Sequence, residues 1–242
     1  MTSAHKVYCV ADVDLPVSEE PLHWEAACRA AIDAHWVELI SHNAALWDGR
    51  THFAIGGAAD SGVFRAICHP ARFASLLYWR HQGHPDVGFR TIFGDVILSS
   101  ADGAVLLGRM RQETANAGRL YFPGGGFDES DVAAHRIDAA GGIARECREE
   151  TGLSSPPVKW AQEYVVYEDD IRIAVGRVAR LPWDADECRA RILHQIAASP
   201  DPELSDIVII QSGEDAERAG AELYAARLCH WLFSHGTLDR ER

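Results

Sequence analysis

The chain has no apolar run near 18 residues, no Cys-x-x-Cys pair and no block of five or more Lys or Arg. The first absence excludes a membrane-spanning helix. The second, with no His-Glu-x-x-His pattern among the 12 histidines, leaves no soft zinc site to propose. The third, with a net charge of −13, argues against nucleic acid as a partner, because a polyanion would be repelled over most of the surface. The six cysteines, at 9, 28, 68, 147, 188 and 229, are scattered through a chain too large for a disulfide-stapled scaffold. Met1–Ala11 holds only the short apolar patch Val7–Ala11, cut off by Asp12, and does not read as a secretory leader. Reduced, buried thiols in a cytoplasmic protein are therefore expected.

What is present describes an ordinary soluble chain. Its 242 residues are 47% apolar and 24% charged, room for one large domain or a medium domain with an appendage. A strand is expected over Lys6–Val13, a helix over Pro21–His42, two short strands near Thr51–Gly57 and Gly62–Cys68, and a helix over Ala71–Gln82. That first third, residues 1–88, reads as a small α+β extension. From Phe89 a hairpin is expected (Phe89–Leu98 and Ala104–Met110 about Asp102-Gly103), then a short strand Leu120–Phe122 leading into Gly124-Gly125-Gly126. A helix over Ala139–Thr151 follows, with Gly152 suited to a left-handed stop. Strands Lys159–Tyr167 and Ile171–Ala179, a helix Asp184–Ala198, a strand Asp206–Ile210 and a terminal helix Glu214–Phe233 complete residues 89–242.

The chemistry concentrates in Arg145-Glu146-Cys147-Arg148-Glu149-Glu150-Thr151-Gly152-Leu153. On a helix Glu146 faces Glu149 and Glu150, since residues three and four apart are neighbours. Each such pair of like charges repels by roughly 3 kcal/mol at an effective dielectric near 20. Either the carboxylates point into water, or a divalent cation sits among them. Hard oxygen donors suit Mg²⁺ or Mn²⁺, with water and phosphate oxygens filling the remaining positions.

This run resembles the core of the Nudix box, Arg-Glu-U-x-Glu-Glu-x-Gly-U with U apolar, and every fixed position is filled. The resemblance implies an αβα sandwich around a mixed sheet and Mg²⁺-dependent cleavage of a nucleoside diphosphate linked to another moiety. It makes Glu149 and Glu150 the main metal ligands and Glu146 a further ligand or the base that activates water. Arg145 would orient the glutamates, and the Gly125 carbonyl would complete the coordination. Upstream the pattern departs. In the usual box a glycine lies 14 positions before the arginine and a further glutamate 8 before it, whereas Gly125 precedes Arg145 by 20. About six residues are inserted, and Phe127-Asp128-Glu129-Ser130-Asp131 reads as the widened loop. Asp138, Glu129 or Asp128 is the expected replacement for the missing glutamate.

Around this core the sequence offers further candidates. Gly124, Gly125 and Gly126 let backbone approach a ligand. Arg109, Arg111 and Arg119 flank the strand leading into them and suit a phosphate clamp, with surface positions as the alternative. Glu163 is a weaker ligand candidate, and Glu168-Asp169-Asp170 reads as an exposed turn. Trp24, Trp36, Trp47 and Trp79 read as local core, and His135 as a solvated loop residue. A nucleotide sugar is the favoured substrate. A non-catalytic Nudix-type sensor and an RNA-end-processing hydrolase are the alternatives, and many relatives pair as dimers.

Overall fold

Residues 4–238 are described by a computed structural model, and strands supply most of its framework. The N-terminal third carries β1 (Lys6–Val10), β2 (Asp12–Asp14), α1 (His23–His42), β3 (Arg50–Asp60), β4 (Val63–Arg72) and α2 (Phe73–His81). Next come β5 (Arg90–Ser99), β6 (Val105–Met110), β7 (Leu120–Tyr121) and β8 (Gly124–Gly126). A 3-10 turn (Glu129–Asp131) and the strands β9 (Val132–Ala133) and β10 (Arg136–Ile137) lead into α3 (Ala139–Thr151). The remainder is β11 (Lys159–Glu168), β12 (Arg172–Arg180), α4 (Ala185–Ala198), β13 (Leu204–Ile210), α5 (Gly213–Arg218) and α6 (Leu223–His235).

Eleven of these strands form one mixed sheet, seven along the path β1-β11-β12-β5-β3-β4-β2 and β6, β7, β8 and β13 joined off that path. β5 lies at its centre, parallel to β12 and antiparallel to β3 and β8. Alternation along the central strands sorts the core. Ile173, Val175 and Ala179 of β12 face a layer containing Ile143 and Cys147 of α3 and Cys188 and Ile192 of α4. Ala174 and Val178 face the other layer, with Tyr224, Leu228 and Leu232 of α6. A sheet buried on both faces between helices is the expected αβα sandwich. Its strands run across residue 88, because β3 pairs with β5 and β1 pairs with β11. A third apolar cluster, Leu22, Phe53, Leu76, Trp79 and Phe89, packs α2 against that junction.

The expected terminal helix over Glu214–Phe233 is two helices. The chain leaves α5 at Ala219 and turns through Gly220, whose φ of 76° is open to glycine without steric cost. Expectations for the cysteines hold in part. None of the six lies in a disulfide, and Cys68, Cys147, Cys188 and Cys229 are buried, but Cys9 is exposed. Trp79 is core, as read, while Trp47 stands exposed on the surface. No described helix is long and apolar enough to cross a membrane.

Candidate active site

The site begins with how α3 is held. Asp138 caps its start by accepting from the Gly141 N–H at 3.0 Å, and Gly152 closes it at φ 69°. Ile143 and Cys147 bury the inner face, which turns Glu146 and Glu150 toward β8. The Gly124 N–H donates to Glu150 Oε2 at 2.7 Å. The Glu146 carboxylate lies so close to Gly125 that a Cβ there would sit 2.6 Å from its Oε1. A side chain at Gly125 would push this carboxylate aside, so the glycine leaves it room against the backbone.

Arg145 organises the rest. Its guanidinium donates to Asp131 Oδ1 at 3.1 Å and Oδ2 at 2.8 Å, to Glu149 Oε2 at 2.9 Å, and pairs with Glu146 Oε1 at 2.9 Å. These bonds, Asp131 foremost, hold its proton more tightly than usual. Asp131 thus occupies the slot expected of Asp138, Glu129 or Asp128. It lies six positions after Gly125, the spacing of the usual box, so Glu129–Asp131 is not the widened part. The insert is the β9–β10 hairpin, turned through Ala134 and His135 at φ 49° and 60°. It is pinned to the N-terminal segment by the Ile137 N–H to Leu15 O at 3.0 Å and the Val17 N–H to His135 O at 2.8 Å. Asp138 is the helix cap, Asp128 caps the 3-10 turn, and Glu129 pairs with Arg50 at 3.2 Å.

The carboxylates carry the strain of proximity. Burial, then the neighbouring Glu149 and Glu203, push Glu146 up to about 7, against the pull of Arg145. Burial, then Glu146 and Glu203, raise Glu150 far above the ordinary range. Glu149 differs: its side chain is 52% exposed and turned to Arg145. Among the described residues no three His, Cys, Asp or Glu side chains close into a ready-made metal cage. The donor set still fits Mg²⁺, which keeps several waters and needs only one or two carboxylates besides phosphate oxygens.

Glu203, which sequence reasoning passed over, is the fourth carboxylate of the group. It precedes β13, and its carbonyl accepts from the Arg111 N–H at 2.8 Å. Burial, then Asp201 and Glu149, raise its carboxyl. Of the expected clamp, Arg111 pairs with Glu113 at 3.2 Å, Arg109 donates to Gly118 O at 3.2 Å, and Arg119 lies 3.8 Å from Glu222. Glu168 is no exposed turn residue. It is buried and bound by Tyr8 Oη at 2.8 Å and Arg90 at 2.9 Å. Glu163 is half-buried, and His135 is exposed beside Glu19 at 3.9 Å.

His52 supports the turn from below. Buried at 2% exposure, its Nδ1–H donates to the Phe127 carbonyl at 2.8 Å, and burial lowers its pKa below the ordinary 6.5. The unfolded chain then binds the extra proton first as pH falls below about 6.5, so this contribution is full above that pH and shrinks below it. His52→Gln keeps a donor without titrating. The difference in Tm between wild type and His52→Gln should narrow from about pH 7.5 to about pH 5, measured without added metal. A difference constant with pH would show that His52 is not held neutral.

No family model matches the chain, and no curated protein matches it. Solved structures do. It is similar to a Nudix hydrolase from M. smegmatis, RenU (14% identity, 63% of this chain and 89% of that one, TM-score 0.41). It is similar also to a putative Nudix hydrolase family member from Chromobacterium violaceum (16%, 65% and 83%, TM-score 0.39). A third is the NUDIX domain of Shewanella oneidensis NrtR, solved with ADP ribose (17%, 61% and 86%, TM-score 0.38). The structures this chain resembles are thus Nudix proteins.

Proposed function

We propose that the chain is a Nudix-type hydrolase that cleaves the pyrophosphate bond of a nucleoside diphosphate linked to a second moiety, a nucleotide sugar first among them. One observation carries this reading: the box carboxylates Glu146 and Glu150 lie against the Gly124–Gly126 bend, joined by Glu203, with Arg145 locking the turn. The chemistry is assigned to residues 89–242, with residues 1–88 as an N-terminal extension.

Magnesium or manganese would be held by Glu146, Glu149 and Glu150 with the Gly125 carbonyl. When bound, such an ion neutralises charge on the attacking and leaving oxygens. The chain's own residues do the rest. Glu146, against the Gly125 backbone, serves as a further ligand or as the base that takes a proton from water. Arg145 holds Glu146 and Glu149 in register, and Gly124 fixes Glu150 through its N–H.

The test is a screen of nucleoside triphosphates, dinucleotides and nucleotide sugars for Mg²⁺-dependent phosphate release. Turnover of a nucleotide sugar supports the reading in full; turnover of none of the three classes sinks it. The competing reading is a non-catalytic Nudix-type sensor. Binding without turnover in saturating Mg²⁺ would establish that.

A further inference from the structure

Beyond the carboxylates, the fold gathers a group of cationic side chains that the box does not account for. Arg80, in the last turn of α2, donates to Asn116 Oδ1 at 3.2 Å. Asn116 Nδ2 donates to Tyr121 Oη at 2.9 Å, and the Arg119 N–H reaches the Asn116 carbonyl at 3.1 Å. The Tyr121 and Tyr224 rings lie 6.5 Å apart, and the Arg172 guanidinium stacks over Tyr224 at 5.1 Å. Three arginines from α2, the β6–β7 loop and β12 thus gather around two tyrosines. Tyr121 stands near Glu150 as well as Arg80, which sets this cationic group beside the box carboxylates.

The balance of partners there is uneven. Arg119 has Glu222 at 3.8 Å, and Arg172 has Asp169 at 3.3 Å. Arg80 has no carboxylate within ion-pair distance among the described residues, although a guanidinium offers five donors. Burial, with Arg119 and Arg172 nearby, disfavours its charge. His84, on the same side, is held below its usual pKa by burial and then by Arg80, Arg172 and Arg119. A guanidinium stays protonated even so. In a chain of net charge −13, three guanidiniums gather here, and of the three Arg80 is the one without a carboxylate partner among the described residues.

We propose that Arg80, Arg119 and Arg172 form a subsite for a phosphate group, Arg80 giving the bidentate contact and Tyr121 and Tyr224 walling it. The proposal rests on the hydrolase reading above and adds to it. A diphosphate substrate would lie with its reacting end at Glu146 and Glu150 and an anionic group at the arginines. It also assigns a role to the extension, because Arg80 comes from α2.

Calorimetric titration of the full chain with inorganic pyrophosphate, in EDTA, isolates the subsite from any metal. Wild type should bind. Arg80→Gln should weaken binding by about tenfold to a hundredfold, the usual worth of a charge-assisted bidentate contact. Arg119→Gln should weaken it less. Arg119 is half-exposed, so its variant decides the matter if Arg80→Gln melts early. Undiminished affinity in folded Arg80→Gln and in Arg119→Gln, or no binding by wild type, overturns the subsite. The hydrolase reading fails separately, through the substrate screen, and pyrophosphate binding would survive that failure.

Discussion

Glu150→Gln and Glu149→Gln should each cut Mg²⁺-dependent phosphate release by about 10³, the order seen when one charge-stabilising group leaves a preorganised site. The two variants should reach that loss from different structural starting points. Glu150 is buried, carries the cost of proximity to Glu146 and Glu203, and accepts from the Gly124 N–H. A glutamine amide keeps that acceptor and removes the charge, so the metal-free variant should melt no lower than wild type, and higher if anything. Glu149 is half-exposed, and its i,i+4 bond to Arg145 contributes only a few tenths of a kcal/mol. Activity lost with Tm kept is therefore the expected signature for both. Turnover retained in either variant, on a substrate that wild type cleaves, removes that glutamate from the mechanism.

The same contrast shows how much could be read ahead of the coordinates. Helix α3 was legible to its ends, because Gly152 is a local stop signal and the carboxylate spacing is a property of one helix; the capping role of Asp138 was not read. The sandwich was implied by the resemblance of the box and of the element order to the Nudix pattern. Glu203 was not legible: Asp201-Pro202-Glu203 reads as any acidic turn, and only the pairing of Leu204 with Met110 brings it to the box. Arg80 is similar, since a basic residue in the last turn of a helix needs no further reason. Its meaning comes from Asn116, 36 positions away. Asp131 is the instructive case. Its spacing from Gly125 was visible, but taking the insert to lie before it, rather than in the hairpin after it, hid the match.

That reassignment carries the other large prediction. The Asp131 side chain is 3% exposed and fully engaged, accepting two bonds from Arg145 and one from the Asp128 N–H at 3.0 Å. Removing one partner of a buried ion pair costs about 3–5 kcal/mol. Arg145 keeps Glu146 and Glu149, so Asp131→Ala should fall near the lower end, roughly 3 kcal/mol. For a chain of this size that lowers Tm by roughly 6–12 °C. Glu129→Ala, which loses only a surface pair with Arg50, should change Tm little, and Asp138→Ala should cost about 1 kcal/mol as a lost cap. Asp131→Ala should also slow turnover, because an Arg145 freed from Asp131 is drawn onto Glu146 and Glu149. A double-mutant cycle with Arg145→Ala should then return a coupling well above 1 kcal/mol. If Asp131→Ala is no worse than Glu129→Ala and the coupling vanishes, the turn is held by its own backbone, and Asp131 does not stand in the glutamate's place.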